Sequence, residues 1–500
     1  MEVDRRTMML AAGLLPAASA IAQAPAAPDG PPVHAQPTDT TGQLVRFATS
    51  LRYEDLPPEV VHATKRLLLD TIGCAFTGWA STKGKLAAGL MQQLGGEPSA
   101  LIIGSGQRVS PTNAAFANAE LVNALDFDAI PHLPPVVVPP LLAVADAEHR
   151  SGKDLILGIV IAYEIGARLS SASSQMQAAL LETNRTPEIF GINDEAIMAS
   201  AAAIAAIKRM GPEQTAYAMG LGGYYCPPQS SHDWETGSPK SNVKYTPVGW
   251  IAQGAVTAGL LAATGFTANP IVLDGPAGFP RYYGWPRYRV ERAVAGLGTE
   301  WRILNPDFKP YAACRYIHSR LDCMIGAVRK GKVKADQIER VVSLGPPFTA
   351  NPDQMNVRTQ EDAQFSIPYM LAIAAHGIPI DAYCQRPELL ADPAIKATMA
   401  RIEWGTHPRT SETKRANPSS FIASAEITTR DGKRYFDEVL VPLGAGAVPD
   451  RRLGDDTLQR KFLGNARVRL SEAAAARLAD QLWHVDAVTD VASLTALMAA

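Results

Sequence analysis

Cysteine is scarce in this 500-residue chain, and charge of either sign is nearly cancelled. The five cysteines, Cys74, Cys226, Cys314, Cys323 and Cys384, include no CxxC pair. Their odd number leaves no complete disulfide framework, and the spacing suits no zinc site. Lys and Arg number 47 against 49 Asp and Glu, a formal net charge of -2. No basic excess exists to attract nucleic acid or an anionic membrane surface. The motifs HExxH and GxxxxGK[ST] are absent, and Gly104-Ser105-Gly106 lacks the third glycine of a dinucleotide loop. The expectation is therefore no metal and no cofactor. What is present is ordinary for a globular protein: 47% hydrophobic and 19% charged residues. Length alone allows two to four domains.

Arg5-Arg6 precedes an apolar run from Leu10 to Ile21. This reads as an export signal peptide over residues 1–24, of twin-arginine type, cut after Ala22 or Ala24. The run is too short to span a membrane permanently, so the expected location is periplasmic, with no membrane association after cleavage. Residues 25–40, rich in Pro and Ala, read as a flexible lead-in. Helical signals follow. Pro57-Pro58 starts a helix with Val60, Val61, Thr64, Leu67, Leu68, Thr71 and Ile72 on one face, stopping at Gly78. Pro139-Pro140 opens an alanine-rich apolar helix, and Asp154–Leu169 is apolar nearly all round. Ala196–Met210 ends at Gly211-Pro212, and Gly249–Thr264 is small and apolar. Strand-like segments then cluster: Ile338–Leu344, Ala400–Trp404, Phe421–Thr429 and Tyr435–Leu440, with a hairpin turn at Arg430-Asp431-Gly432-Lys433. From Asp456 the pattern is helical again. The expected architecture is a multidomain α and β protein. A large all-α helical domain (41–304 and 445–500) carries an inserted, smaller α+β lid domain (305–444), with a site between them.

Chemistry concentrates in four segments. Asp126, Phe127, Asp128 and His132 stand just before an apolar helix, where unpaired charge would be costly without a use. Ser238–Pro247, containing Lys244, precedes the Gly249 helix, and a lysine there adds to the positive helix end. Asn305–His318 contains Lys309 and His318 at the expected domain junction, and Gln364–Tyr369 carries Ser366 and Tyr369 into an apolar helix.

Together these segments resemble the MmgE/PrpD family. The resemblance covers about residues 41 to 500. It is most specific at Ala124-Leu125-Asp126-Phe127-Asp128 with His132, Ser151-Gly152-Lys153-Asp154-Leu155, Gly265-Phe266-Thr267, Asp274-Gly275 with Gly278-Phe279, and Phe365–Tyr369. It implies a helical domain with an α+β lid, a homodimer, and no metal or organic cofactor. It implies catalytic roles for Asp126, His132, Lys244, Lys309 and Tyr369. Asp128, Ser366, His318, His232 and Trp234 would contact substrate. The implied chemistry is proton removal beside a carboxylate, followed by loss of water, loss of carbon dioxide or reprotonation. Lysines would neutralise the small-molecule carboxylate substrate, and a histidine held by an aspartate would move the proton.

Three departures shape the functional reading. The family's DFDDT segment is here Asp126-Phe127-Asp128-Ala129-Ile130, which loses an acid and a hydroxyl. The family's second catalytic histidine would fall at Ile192 or Asn193, and Gly191-Ile192-Asn193-Asp194 holds none. Tyr224–Trp234 is aromatic where the family has a small, polar loop; His232 is there as a candidate replacement. More aromatics and fewer polar groups point to a substrate less charged than a tricarboxylate. The leading expectation is a cofactor-free lyase, a dehydratase of a hydroxy carboxylic acid. An epimerase or isomerase using the same abstraction is the alternative, and an inactive exported anion-binding protein the second.

Overall fold

A computed structural model describes residues 38–173, 188–285, 287–348 and 350–500. The expected signal peptide, and all but the last three residues of the lead-in, lie outside the described residues. Most of the described chain is helical. The first long helix, α1 (Pro58–Gly78), starts at the proline the sequence marks and buries Val60, Thr64, Leu67, Leu68, Thr71 and Ile72. It stops at a glycine for a packing reason as well. A Cβ on Gly78 would sit 2.4 Å from the carbonyl oxygen of Leu121 on α2 (Pro111–Asn123), so the two helices touch backbone to backbone there. Between them lies a feature the helical reading of this region lacked, an antiparallel ribbon of β1 (Ala100–Leu101) and β2 (Arg108–Val109).

The apolar helix after His132, α3, spans Pro134–Ala147, five residues earlier than Pro139-Pro140 suggests. Pro134-Pro135 fills the first turn, where a missing N–H costs nothing. Pro139 and Pro140 sit inside the helix. Pro140 cannot donate to the carbonyl of Val136, and the Ser200 hydroxyl of α5 (Ala196–Ile207) does so instead at 2.6 Å. A neighbouring helix thus repairs the break, which is why the proline pair does not mark the boundary. Helix α4 (Gly152–Ser173) opens with reciprocal bonds between Ser151 and Asp154, the Ser151 N–H to carboxylate at 3.1 Å and the Asp154 N–H to hydroxyl at 3.2 Å. Its length and apolarity would suit a membrane span, but most of its apolar stretch is buried inside the protein. α4 packs on α5, and α2 packs on α3 and α6 (Val248–Ala263).

Four strands form one mixed sheet in the order β4-β3-β5-β6: β3 (Ile338–Gly345), β4 (Ile402–Thr406), β5 (Ala423–Thr429) and β6 (Arg434–Val439). β3 pairs parallel with β4 and antiparallel with β5, and β5 pairs antiparallel with β6. The β5–β6 turn is the one expected, with Gly432 at φ 79. Helix α7 (His318–Gly331) lies on β5 and β6. A two-residue backbone bridge, Ile130 with Asp307 at 2.9 and 2.8 Å, ties the acid–histidine segment to the segment carrying Lys309. The C-terminal helix α8 (Asp455–Ala466) returns to the same place: its Lys461 donates to Asp70 at 2.7 Å and to the Phe127 carbonyl at 2.9 Å.

Candidate active site

Asp126 is the centre of a buried charge cluster. It is 1% exposed and left-handed, with φ 54, on the turn that follows α2. That turn aims its carboxylate at two lysines from distant segments. Lys244 donates to Oδ1 at 2.9 Å and Lys309 to Oδ2 at 2.6 Å. The Tyr245 hydroxyl donates to Oδ1 at 2.9 Å. Each ammonium has a second acceptor, the Asn123 carbonyl for Lys244 and the Asp126 carbonyl for Lys309. Burial alone would raise the Asp126 carboxyl, but Lys244, Lys309 and His132 outweigh it and hold it well below the usual carboxylate range. Lys244 is lowered, burial outweighing Asp126. Behind this layer Lys83 pairs with Glu120 at 2.9 Å and donates to Asn123 at 3.1 Å.

His132 stands beside the cluster. Its Nδ1 is 2.7 Å from Asp128 Oδ2, and its Nε2 is 3.9 Å from Asp126 Oδ1. Asp128, not Asp126, is therefore the acid that orients the imidazole. Asp128 is fully buried; its carboxyl is lowered because the charge and hydrogen bond of His132 outweigh burial. Two acids and two lysines balance when the imidazole is neutral. The ring of His132 leans on Tyr245 at 5.0 Å, and Trp234 meets Tyr245 and Phe365 edge-on at 5.8 and 4.8 Å.

This assembly opens on a cavity of about 520 Å³, within the usual range for a ligand pocket. Asp126 and His132 form one part of its wall. Phe190, Trp234, Tyr245, Tyr283, Trp285 and Phe365 make much of the rest aromatic. Glu195, Glu235 and Arg315 add two further acids and a cation to the described lining. Arg315 is committed to Asp307 through two nitrogens, at 3.1 and 2.9 Å. Backbone strain gathers here. Six described non-glycine residues are left-handed, and three of them, Asp126, Asn193 and Lys244, belong to this site.

The structure brings together Asp126, Asp128, His132, Trp234, Lys244 and Lys309. It places the remaining candidates elsewhere. Lys244 and Lys309 themselves are 1% and 0% exposed and face Asp126, not the open cavity, so they do not present a free charge to a substrate carboxylate. Tyr369 is fully buried and donates to the Cys384 carbonyl at 2.7 Å, outside the cavity wall. Ser366 caps the helix Ile367–Ala375 and donates to the Gln354 carbonyl at 2.6 Å. His318 lies 3.0 Å from the Ala313 carbonyl and 3.3 Å from Arg315. Burial, Arg315 and Lys309 push its pKa well down, so it is a neutral packing imidazole. His232 sits two residues before Trp234 on a helix of Ser231–Thr236 but does not line the cavity. Among the wall residues that escaped the sequence reading are Tyr245 and Glu195. Tyr245 adjoins Lys244, and its neighbour's role was the only signal for it. Glu195 follows the Gly191–Asp194 stretch noted for its missing histidine, and an acid at the head of an alanine-rich helix was the signal available.

A helical protein with a buried acid–lysine–histidine cluster at the wall of a cavity defines the class. The family follows from comparison. The MmgE/PrpD N-terminal domain model matches residues 42–287 and the MmgE/PrpD C-terminal domain model matches residues 311–485, so the chain belongs to the MmgE/PrpD family. Similar proteins include the cis-aconitate decarboxylase-like protein oryM of Aspergillus oryzae, 25% identical over 92% of this chain and 97% of that one. The cis-aconitate decarboxylase of Aspergillus terreus is 24% identical over 92% and 95%. That of Homo sapiens is 26% identical over 90% and 93%.

Proposed function

We propose that the protein is a lyase that moves a proton at the carbon beside a carboxylate, with His132 as the acid–base group and Asp128 holding it. The observation that carries this reading is the His132–Asp128 bond of 2.7 Å at the wall of the cavity, beside the clamped Asp126. Asp128 on Nδ1 fixes the ring so that Nε2 faces Asp126 and the cavity. The lysine clamp keeps Asp126 ionised and immobile, a fixed charge that stabilises the imidazolium formed when His132 takes a proton.

The lining supports one substrate class. Among the described lining residues Arg315 is the one permanent cation, and Asp307 already pairs with it. A tricarboxylate would find its charges unmet there. The fitting substrate is a hydroxy acid with one carboxylate and an apolar, ring-sized body, which loses water. Decarboxylation is the second reading, favoured by the names of the relatives in Aspergillus and Homo sapiens.

Two probes separate these readings. One is 3-hydroxy-3-phenylpropanoate, an aromatic hydroxy acid whose dehydration product absorbs in the ultraviolet. The other is cis-aconitate, whose decarboxylation releases carbon dioxide. The expectation is dehydration of the first, with deuterium entering beside its carboxylate in heavy water. His132→Ala should slow both exchange and dehydration by roughly 10²–10⁴-fold. Carbon dioxide from cis-aconitate with no turnover of the aromatic acid would replace the dehydratase reading by the decarboxylase one. Full activity of His132→Ala would sink the proton-transfer assignment.

A further inference from the structure

Removing water needs two proton transfers, one from carbon and one to the departing hydroxyl. His132 supplies the first under the reading above. The second group must carry a proton and reach the same cavity. Glu195 does both: it stands at the head of α5 on the cavity wall, and it is 4% exposed. It lies two to three residues from Ile192 and Asn193, and both of these line the cavity with it. Asn193 holds the left-handed conformation (φ 60) that turns the chain into α5.

We propose that Glu195 is the second catalytic residue of this site, the acid that protonates the leaving hydroxyl while His132 takes the proton from carbon. The assignment rests on the lyase reading and extends it. The step balances. The C–H bond breaks as its proton passes to His132, and its electron pair becomes the new C=C bond. The C–O bond breaks with its pair on oxygen, which takes the Glu195 proton and leaves as water. Imidazolium and glutamate remain, and exchange with solvent resets both.

The surroundings keep this acid protonated. From its own segment Asp194 approaches, from the turn after Phe279 comes Tyr283, and beyond the helix Pro212–Tyr225 lies Cys226. All three are acids pushed upward chiefly by burial, and α4 contributes the Ser170 hydroxyl. Among the described residues, no cation figures among the groups acting on Glu195. Burial, opposed by its own backbone amide and Ser170, pushes its carboxyl up to about 7. Such a group is protonated near neutrality and returns its proton readily, which is what a general acid needs.

The test uses 3-hydroxy-3-phenylpropanoate in heavy water with wild type, Glu195→Gln and Glu195→Asp. The expected result is a split. Glu195→Gln should lose dehydration by roughly 10²–10⁴-fold while exchange beside the carboxylate falls far less, and Glu195→Asp should recover part of the loss. Wild-type dehydration should decline as pH rises through about 7, and that limb should vanish in Glu195→Gln. Equal loss of exchange and dehydration, or none of either, overturns the assignment while leaving His132 in place. No exchange with wild type overturns the dehydratase reading and this assignment together. Thermal unfolding gives a readout free of any substrate. A carboxyl raised on folding binds its proton more tightly in the native state, so its stability contribution is lost as pH rises from about 4.5 to about 7. Wild type should therefore lose Tm relative to Glu195→Gln as pH rises through that window, from about 4.5 to about 7. Parallel curves would refute the protonated state and the proposal.

Discussion

At the residue scale, the informative change between sequence and structure concerns the lysines. The sequence reads Lys244 and Lys309 as partners for substrate, but each spends its charge on Asp126. This alters the expected effect of mutation. Lys309→Ala leaves a fully buried carboxylate short of a cation, so the loss should appear as instability rather than weak binding. About 3–5 kcal/mol is the scale for breaking such a pair. Lys330→Ala, which removes an exposed partner of Asp437, should cost no more than about 1 kcal/mol. Urea unfolding of the two variants checks the contrast, and equal costs would show that the Asp126 clamp contributes little to folding. Asp126, Asp128 and His132 were legible because three ionisable groups crowd an apolar context. The orienting role of Asp128 was not, because which acid meets Nδ1 depends on the left-handed turn at Asp126. Tyr369 and Ser366 misled for the opposite reason: a hydroxyl at a helix start is as readily a cap or a buried donor as a reactive group.

At the element scale, the helices and strands were legible wherever local chemistry decides them. The Pro57-Pro58 start, the Gly432 hairpin and all four strands of the sheet fall within a few residues of their expected places. The exceptions need distant partners. The ribbon at Ala100–Leu101 is two residues per strand and carries too little pattern to register. Helix α3 runs through Pro139-Pro140 because Ser200 satisfies the freed Val136 carbonyl. Ser200→Ala should therefore strand a buried acceptor and cost about 1–3 kcal/mol, far more than removing a helix-surface hydroxyl. Denaturant unfolding measures it, and a cost near zero would mean that another donor reaches Val136. Since α3 begins two residues after His132, loosening it should also blur the imidazole position, so kcat should fall before KM changes.

At the scale of the whole molecule, the site is assembled from segments far apart in the chain. Asp126, Lys244 and Lys309 are joined by hydrogen bonds across 118 and 183 positions, and Lys461 meets Asp70 across 391. All of these residues lie beyond position 38, and the family match begins at residue 42. The named cluster residues all lie outside residues 1–24, so the two can be tested by separate substitutions. We propose that residues 1–24 direct export by a twin-arginine signal, on the strength of Arg5-Arg6 and the Leu10–Ile21 run. The informative substitution keeps the charge. In the double variant Arg5→Lys with Arg6→Lys, an ordinary signal peptide keeps its positive leading region and still works. A signal read through the arginine pair itself does not. Fractionation of cells expressing both forms should find the wild type outside the cytoplasm and the lysine variant retained within it, uncut. Equal export of the two would end the twin-arginine reading while leaving an ordinary signal, and retention of both would end the export reading altogether.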